Sequence, residues 1–317
     1  MECICNNIID NVGDSVLVPT PYYPAFDHDF WDLGDVYTEE INVDRRHRNH
    51  PFDDEANSLF DAEAYDNAYN SAIGKGRPPK ALLLTNPSNP LGVIFSKSAM
   101  LAAIAWARKK SLHIIVDEIY SLSVYGEEMS TTSVISMLGN QLSDDVHILW
   151  SLSKDFGGSG LRLGVLYSQS KSLIRCMNSC NDSFMVSNLM QEMTIHLLSD
   201  DQWLNNYFHQ NRLSLRQSYT LLKSTLEDLG LVCVSAGAAI FAFADFSSIL
   251  KEKSFECESE LHLSLANEFG VLFTPGQACH CQYPGYFRIC YAWVPYATLV
   301  EGMRRLREFV HAYANKN

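Results

Sequence analysis

The segment Ser151-Leu152-Ser153-Lys154-Asp155-Phe156-Gly157-Gly158-Ser159-Gly160-Leu161-Arg162 sets one lysine among hydroxyls and glycines, with an arginine eight positions later. A lysine amine condenses with a carbonyl group to form a Schiff base. A serine hydroxyl and a guanidinium nearby suit a phosphate. The segment therefore offers covalent capture of an aldehyde cofactor that carries a phosphate. A lysine in a glycine-rich turn also serves as an ordinary solvated loop residue, so the reading depends on the rest of the chain.

Three further segments bear on it. Leu112-His113-Ile114-Ile115-Val116-Asp117-Glu118-Ile119-Tyr120 reads as a short buried strand that ends at an acid. Ligands of open α/β sheets bind beyond the carboxyl ends of the strands. A carboxylate there can pair with a protonated ring nitrogen, and it can equally cap the next helix. Leu84-Thr85-Asn86-Pro87-Ser88-Asn89-Pro90-Leu91-Gly92 follows another apolar run, and its two Asn-Pro pairs keep the asparagines out of the helical region. An asparagine amide in that loop can donate to a phenolate; the plain alternative is a strand-to-helix turn. Val18-Pro19-Thr20-Pro21-Tyr22-Tyr23-Pro24 stiffens a loop with three prolines, and a tyrosine on it can stack on an aromatic ring or simply plug the core.

Taken together these segments resemble the class I/II aminotransferase superfamily, the fold-type-I pyridoxal-phosphate enzymes. Within it the chain looks most like the 1-aminocyclopropane-1-carboxylate synthases and synthase-like proteins. The matching stretches are 19–27, 85–92, 116–120, 151–164 and 284–292, in the family's order. The resemblance implies that Lys154 binds pyridoxal phosphate covalently and then moves the Cα proton of the substrate. It implies that Asp117 holds the pyridinium nitrogen, that Asn89 and Tyr120 bond the phenolic oxygen, and that Tyr23 stacks on the ring. Ser151 and Arg162 would take the phosphate, and Arg288 would clamp the α-carboxylate of an amino-acid substrate. For Arg288 a surface salt bridge is the competing reading. A homodimer is implied by the family alone.

The departures from the family pattern matter as well. Family members carry a segment ahead of the first proline loop with the first sheet strand and a phosphate-cradling turn. Neither has a counterpart here, and residues 1–10 look like the tail of the helix after that turn. Without them apolar surface should be exposed on what remains, and cofactor binding should weaken. Two functions therefore stand. One is a pyridoxal-phosphate enzyme on an α-amino acid, aminotransferase or synthase-like lyase. The other is a non-catalytic homologue that acts through association.

The 317 residues allow a large domain over 1–200 and a smaller one over 201–317. A net charge of −13 argues against nucleic acid and against an anionic membrane surface. No apolar run is long enough to span a membrane, and no secretory leader is visible. Nine cysteines without a paired CxxC pattern suggest reduced thiols in a cytoplasm. Cys279-His280-Cys281 alternates like a strand, which would turn His280 away from its neighbours and argues against a metal. Arg45 to His50 forms a basic cluster, read as a solvated loop.

Strands are expected at 15–18, 36–43, 81–84, 112–116, 146–150 and 161–167, with a helix from Lys97 to Lys110 presenting Met100, Leu101, Ile104 and Ala105. Their alternation points to an α/β fold, a mostly parallel sheet with covering helices. A long helix over 202–229, strands at 231–236, 239–245 and 286–292, and a final helix with Leu299, Met303, Leu306 and Val310 on one face would build the α+β C-terminal part.

Overall fold

The computed structural model describes residues 8–9, 12–43, 51–52, 54–126 and 131–314. The basic cluster at 45–50, and all but two residues of the amino-terminal stretch 1–10, lie outside the described residues.

Six strands form the main sheet: β1 (Ser15–Pro19), β2 (Tyr37–Ile41), β3 (Pro79–Thr85), β4 (His113–Asp117), β5 (Val146–Ser151) and β6 (Gly164–Ser168), in the order β2-β1-β3-β4-β5-β6. All neighbours are parallel except β5 and β6. The central strands β1, β3 and β4 read as apolar runs because both their faces are covered. On β3, Leu82 and Leu84 face the helix Lys97–Lys109, whereas Ala81 and Leu83 face Phe26, Phe30 and Leu173. The period-two alternation of a strand thus feeds two separate cores.

The helix Lys97–Lys109 starts where Ser96 accepts from the Ala99 amide at 3.3 Å. It buries Met100 and Ile104 as expected, but the stripe continues through Ala103, Trp106 and Ala107, and Ala105 is exposed.

A second sheet is antiparallel: β7 (Val232–Cys233), β8 (Phe241–Asp245), β9 (Thr274–Pro275) and β10 (Tyr286–Cys290), in the order β7-β8-β10-β9. It packs on the helices Asp201–Asp228, Phe255–Phe269 and Tyr296–Ala314, with Leu299, Met303, Leu306 and Val310 all buried. The strand expected over 231–236 shrinks to two residues. Ser235, Ala236 and Gly237 leave the sheet for two loops instead: Gly237 accepts from the Tyr125 amide at 2.9 Å and donates to the Gly92 carbonyl at 3.1 Å. Gly92 sits at φ +70°, where a Cβ would come 2.9 Å from that of Ala236. Glycine is required there for both reasons.

The side of the molecule beyond β6 is uncovered. Val165, Tyr167, Leu189, Ile195 and Leu198 are all exposed, and the helix Asn188–Ser199 buries Thr194 alone. Among the described residues no helix is long and apolar enough to cross a membrane.

Candidate active site

Parallel strands deliver their carboxyl ends to one edge of the sheet, and the register here is tight. Thr85 lies beside Asp117 and Asp117 beside Leu149, while Ser151 pairs with Gly164 of the returning strand. Residues that follow β1, β3, β4 and β5 therefore converge. Tyr23, Asn89, Asp117, Tyr120, Ser151, Lys154 and Arg162 all line one cleft of about 560 Å³. Arg288 reaches one of the lining residues, Asn89, from β10, where Phe287 and Ile289 are buried on the opposite face.

Asp117 ends β4 and accepts the Ile119 amide at 3.1 Å. It does not start a helix. That task falls to Ser133 and Glu118 at the helix Val134–Leu138, where Glu118 accepts the Val134 amide at 2.7 Å. Loss of water pushes the Asp117 carboxyl up to about 6, against the pull of the Ile119 amide and of Lys154.

Lys154 sits on the one-turn helix Leu152–Asp155, not on a bare turn between strands. Ser151 caps that helix, its hydroxyl accepting from the Ser153 amide at 3.0 Å. The hydroxyl proton of Ser151 has no acceptor among the described residues. The Lys154 amine has no hydrogen-bond or ion-pair partner among the described residues. Arg162 adopts the left-handed conformation at φ 55° and donates to the Ser159 carbonyl at 3.0 Å, with its guanidinium otherwise exposed. The strand expected over 161–167 begins only at Gly164, because Ser159–Leu161 forms a 3₁₀ turn that swings Arg162 back to the cleft.

Tyr23 is half-buried and meets Phe26 edge-on at 5.4 Å. Tyr120 is buried, with its ring edge-on to Phe241 at 5.3 Å. Arg288 donates to Asn89 Oδ1 at 3.0 Å and to Thr274 Oγ1 at 3.2 Å. No carboxylate pairs with it among the described residues, so the salt-bridge reading does not hold there. The bond fixes the Asn89 amide so that its nitrogen remains to donate.

One residue of this site has no signal in its own sequence neighbourhood. Asp155 is fully buried and accepts from Ser123 Oγ at 2.7 Å, Trp150 Nε1 at 2.8 Å and the Leu122 amide at 3.2 Å. Tyr207 donates to its carbonyl at 3.1 Å. Asp155 thus fixes the backbone on which Lys154 rides. Asp155→Ala would strand three donors, each costing about 1–3 kcal/mol when buried and unpaired. The expected result is a melting temperature lowered by roughly 5 °C or more in thermal denaturation. An unchanged melting temperature would show the network to be idle.

His280 departs from the strand reading. It follows the 3₁₀ turn Gln277–Cys279 in a left-handed conformation, between buried Cys279 and Cys281. Among the described residues no group of three or more His, Cys, Asp or Glu side chains is placed to hold a metal.

The family description "Aminotransferase class I and II" matches residues 4–306. The 1-aminocyclopropane-1-carboxylate synthase 11 of Arabidopsis thaliana is 32% identical over 304 residues, which cover 95% of this chain and 64% of that protein. The 1-aminocyclopropane-1-carboxylate synthase of Malus domestica is 33% identical over 311 residues, covering 96% and 63%. The chain thus spans less than two thirds of the length of these relatives. Among solved structures, the aromatic aminotransferase from Pyrococcus horikoshii OT3 superposes with a TM-score of 0.81 at 19% identity, over 98% of this chain and 76% of that one. The aspartate aminotransferase from Thermus thermophilus with maleate gives 0.79 at 21%, over 97% and 72%. At such identities the likeness is one of fold, the fold-type-I arrangement of a mostly parallel sheet and a smaller antiparallel one. The chain belongs to the class I and II aminotransferase family, whose members, the 1-aminocyclopropane-1-carboxylate synthases included, work with pyridoxal phosphate.

Proposed function

We propose that this chain forms the cofactor and substrate site of a pyridoxal-phosphate enzyme that removes the Cα proton of an α-amino acid. One observation carries the reading: residues from four separate segments line a single cleft, with a lysine amine that has no hydrogen-bond or ion-pair partner among the described residues beside a desolvated carboxyl. The donor set fits the cofactor. An acid stands ready for a cationic ring nitrogen, an asparagine nitrogen is left to donate to a phenolic oxygen, and Tyr23 offers a flat face. Ser151 and Arg162 carry a hydroxyl proton and an exposed guanidinium for the phosphate.

When bound, pyridoxal phosphate supplies a conjugated electron sink for the bond broken at Cα. The chain's own residues do the rest. Lys154 accepts the Cα proton as general base. Asp117 keeps a proton on the ring nitrogen, which deepens the sink. Arg288 binds the α-carboxylate as a two-pronged donor and orients the substrate, so that the Cα–H bond faces Lys154. The relatives' names favour a 1-aminocyclopropane-1-carboxylate synthase, in which a γ leaving group is displaced internally. Aminotransfer starts from the same residues. A homodimer, a cytoplasmic location, and a division into parts at about residue 200 belong to the same proposal.

Borohydride reduction of the purified chain with pyridoxal phosphate, followed by peptide mass spectrometry, tests the reading. A pyridoxyl adduct on the Lys154 peptide is expected. No adduct in a folded chain would sink it. Arg288→Ala should raise the apparent KM for the amino acid by roughly 10²-fold, the worth of a charge-assisted bidentate contact, while cofactor affinity changes little. Equal losses in both would contradict the carboxylate role.

A further inference from the structure

We propose that His280 is a positioning residue of this site: its imidazolium, held between Asp27 and Glu40, locks the Tyr22-Tyr23 loop onto the β9–β10 hairpin that carries Arg288. The proposal rests on the reading that Tyr23 serves the cofactor ring and Arg288 the substrate carboxylate.

The geometry is specific. His280 Nε2 lies 2.8 Å from Asp27 Oδ2, on the helix Phe26–Gly34, and Nδ1 lies 2.9 Å from Glu40 Oε1, on β2. Both ring nitrogens thus face carboxylate oxygens, which only the doubly protonated imidazole satisfies. The ring stacks on Tyr22 at 4.1 Å and 15°. The Tyr22 hydroxyl donates to Asp27 Oδ1 at 2.9 Å, and the Tyr22 amide donates to the Cys279 carbonyl at 2.9 Å. Thr38 donates to the same Asp27 oxygen. Tyr22 is therefore gripped on its ring, hydroxyl and backbone, all by the segment 279–280 or by groups bonded to it.

The next residue is Tyr23, which turns into the cleft, its ring centroid 6.0 Å from the Arg288 guanidinium. His280 lies in the connection between β9 and β10, and Arg288 stands opposite Thr274 in that pair. One clamp therefore sets the spacing between the surface that would take the ring and the guanidinium that would take the carboxylate. A shift of about an ångström at such a distance is enough to cost activity.

The titratable groups against the imidazole among the described residues are Asp27, Glu40 and Tyr22. Burial alone would lower the His280 pKa; the two carboxylates outweigh it and push it up to about 9. Burial opposes Asp27 in turn, yet its partners hold it down at about 2, and His280 also lowers Glu40. The sign follows. A raised histidine pKa contributes stability that is complete below the ordinary value near 6.5 and is lost as the pH rises through about 9. The clamp is closed at neutral pH and opens in alkali.

The test compares the wild-type chain with His280→Gln and Glu40→Gln by amide hydrogen exchange of the Tyr22 peptide and by pyridoxal phosphate affinity. Near neutral pH, His280→Gln should speed exchange and weaken cofactor affinity, each about tenfold, with the Lys154 adduct still formed; near pH 10 the exchange difference should vanish. Glu40→Gln, at an exposed position that tolerates change, should give an intermediate effect. Unchanged Tyr22 exchange in His280→Gln would overturn the clamp. Faster exchange with unaltered cofactor affinity would overturn the positioning role. Absence of a Lys154 adduct in the wild type would instead remove the site reading, and the exchange data would still decide the clamp.

Discussion

Lys154→Ala should abolish covalent attachment of pyridoxal phosphate while the chain stays folded. The amine has no partner among the described residues, and the backbone beneath it is held by Asp155 through Ser123, Trp150 and Leu122. Removing the side chain breaks no hydrogen bond or ion pair among the described residues, so stability should move by no more than about 0.5–1 kcal/mol. Turnover should fall roughly 10³-fold or more, since the general base disappears along with the covalent anchor. Reduction with borohydride and peptide mapping reads the first effect, steady-state kinetics the second, and thermal denaturation the third. An adduct on another lysine, or turnover near the wild-type rate, would reassign the base. A melting temperature far below wild type would mean that Lys154 serves the fold.

The fold was largely legible because its strands are short apolar runs that end in chemistry. Ile114 to Val116 is buried on both faces and so shows no alternation, yet it stops at Asp117, which lines the candidate cleft. Seven of the eight candidate residues could be named because each sits within a few residues of a strand end of the main sheet, where position in the chain translates into position at the sheet edge; Arg288 instead sits in the middle of β10. What could not be read depends on contacts distant in sequence. Asp155 reaches Ser123 across 32 residues, and nothing near Asp155 announces it. His280 meets Glu40 across 240 residues, so Cys-His-Cys looks like a strand until the carboxylates are placed around it. Ser235 to Gly237 has strand-like neighbours, but the approach of Gly92 and Tyr125 draws it out of the sheet. The cap reading of Asp117 fails for a reason equally distant in sequence: the next helix begins only at Val134, with Ser133 as its N-cap and Glu118 accepting the Val134 amide.

Asp117→Asn should separate the two things that this carboxyl does. In the cofactor-free chain its pKa is pushed up to about 6 by loss of water, above the usual carboxylate value. The fold then holds a proton that the unfolded chain releases between pH ~4 and ~6. Stability therefore falls as the pH rises through that window and stays lower above it. An amide carries no such cost, so the cofactor-free variant should be more stable than wild type near pH 8, by about 1–3 kcal/mol. Catalysis should move the other way. An amide cannot hold the proton on the ring nitrogen as an anion does, and losing one partner of a buried ion pair costs about 3–5 kcal/mol, or roughly 10²–10⁴-fold in kcat/KM. Cofactor affinity in the wild type should strengthen as the pH rises through about 6 and the acid ionises; the variant should lack that step. Asp117→Glu restores the charge on a longer arm and should recover part of the rate. Thermal denaturation without cofactor, together with pH-dependent affinity and rates, reads all three. If the asparagine variant turned over like wild type, the anion would have no role at the ring. If it were also no more stable near pH 8, the desolvation of Asp117 would be the wrong account of its raised pKa.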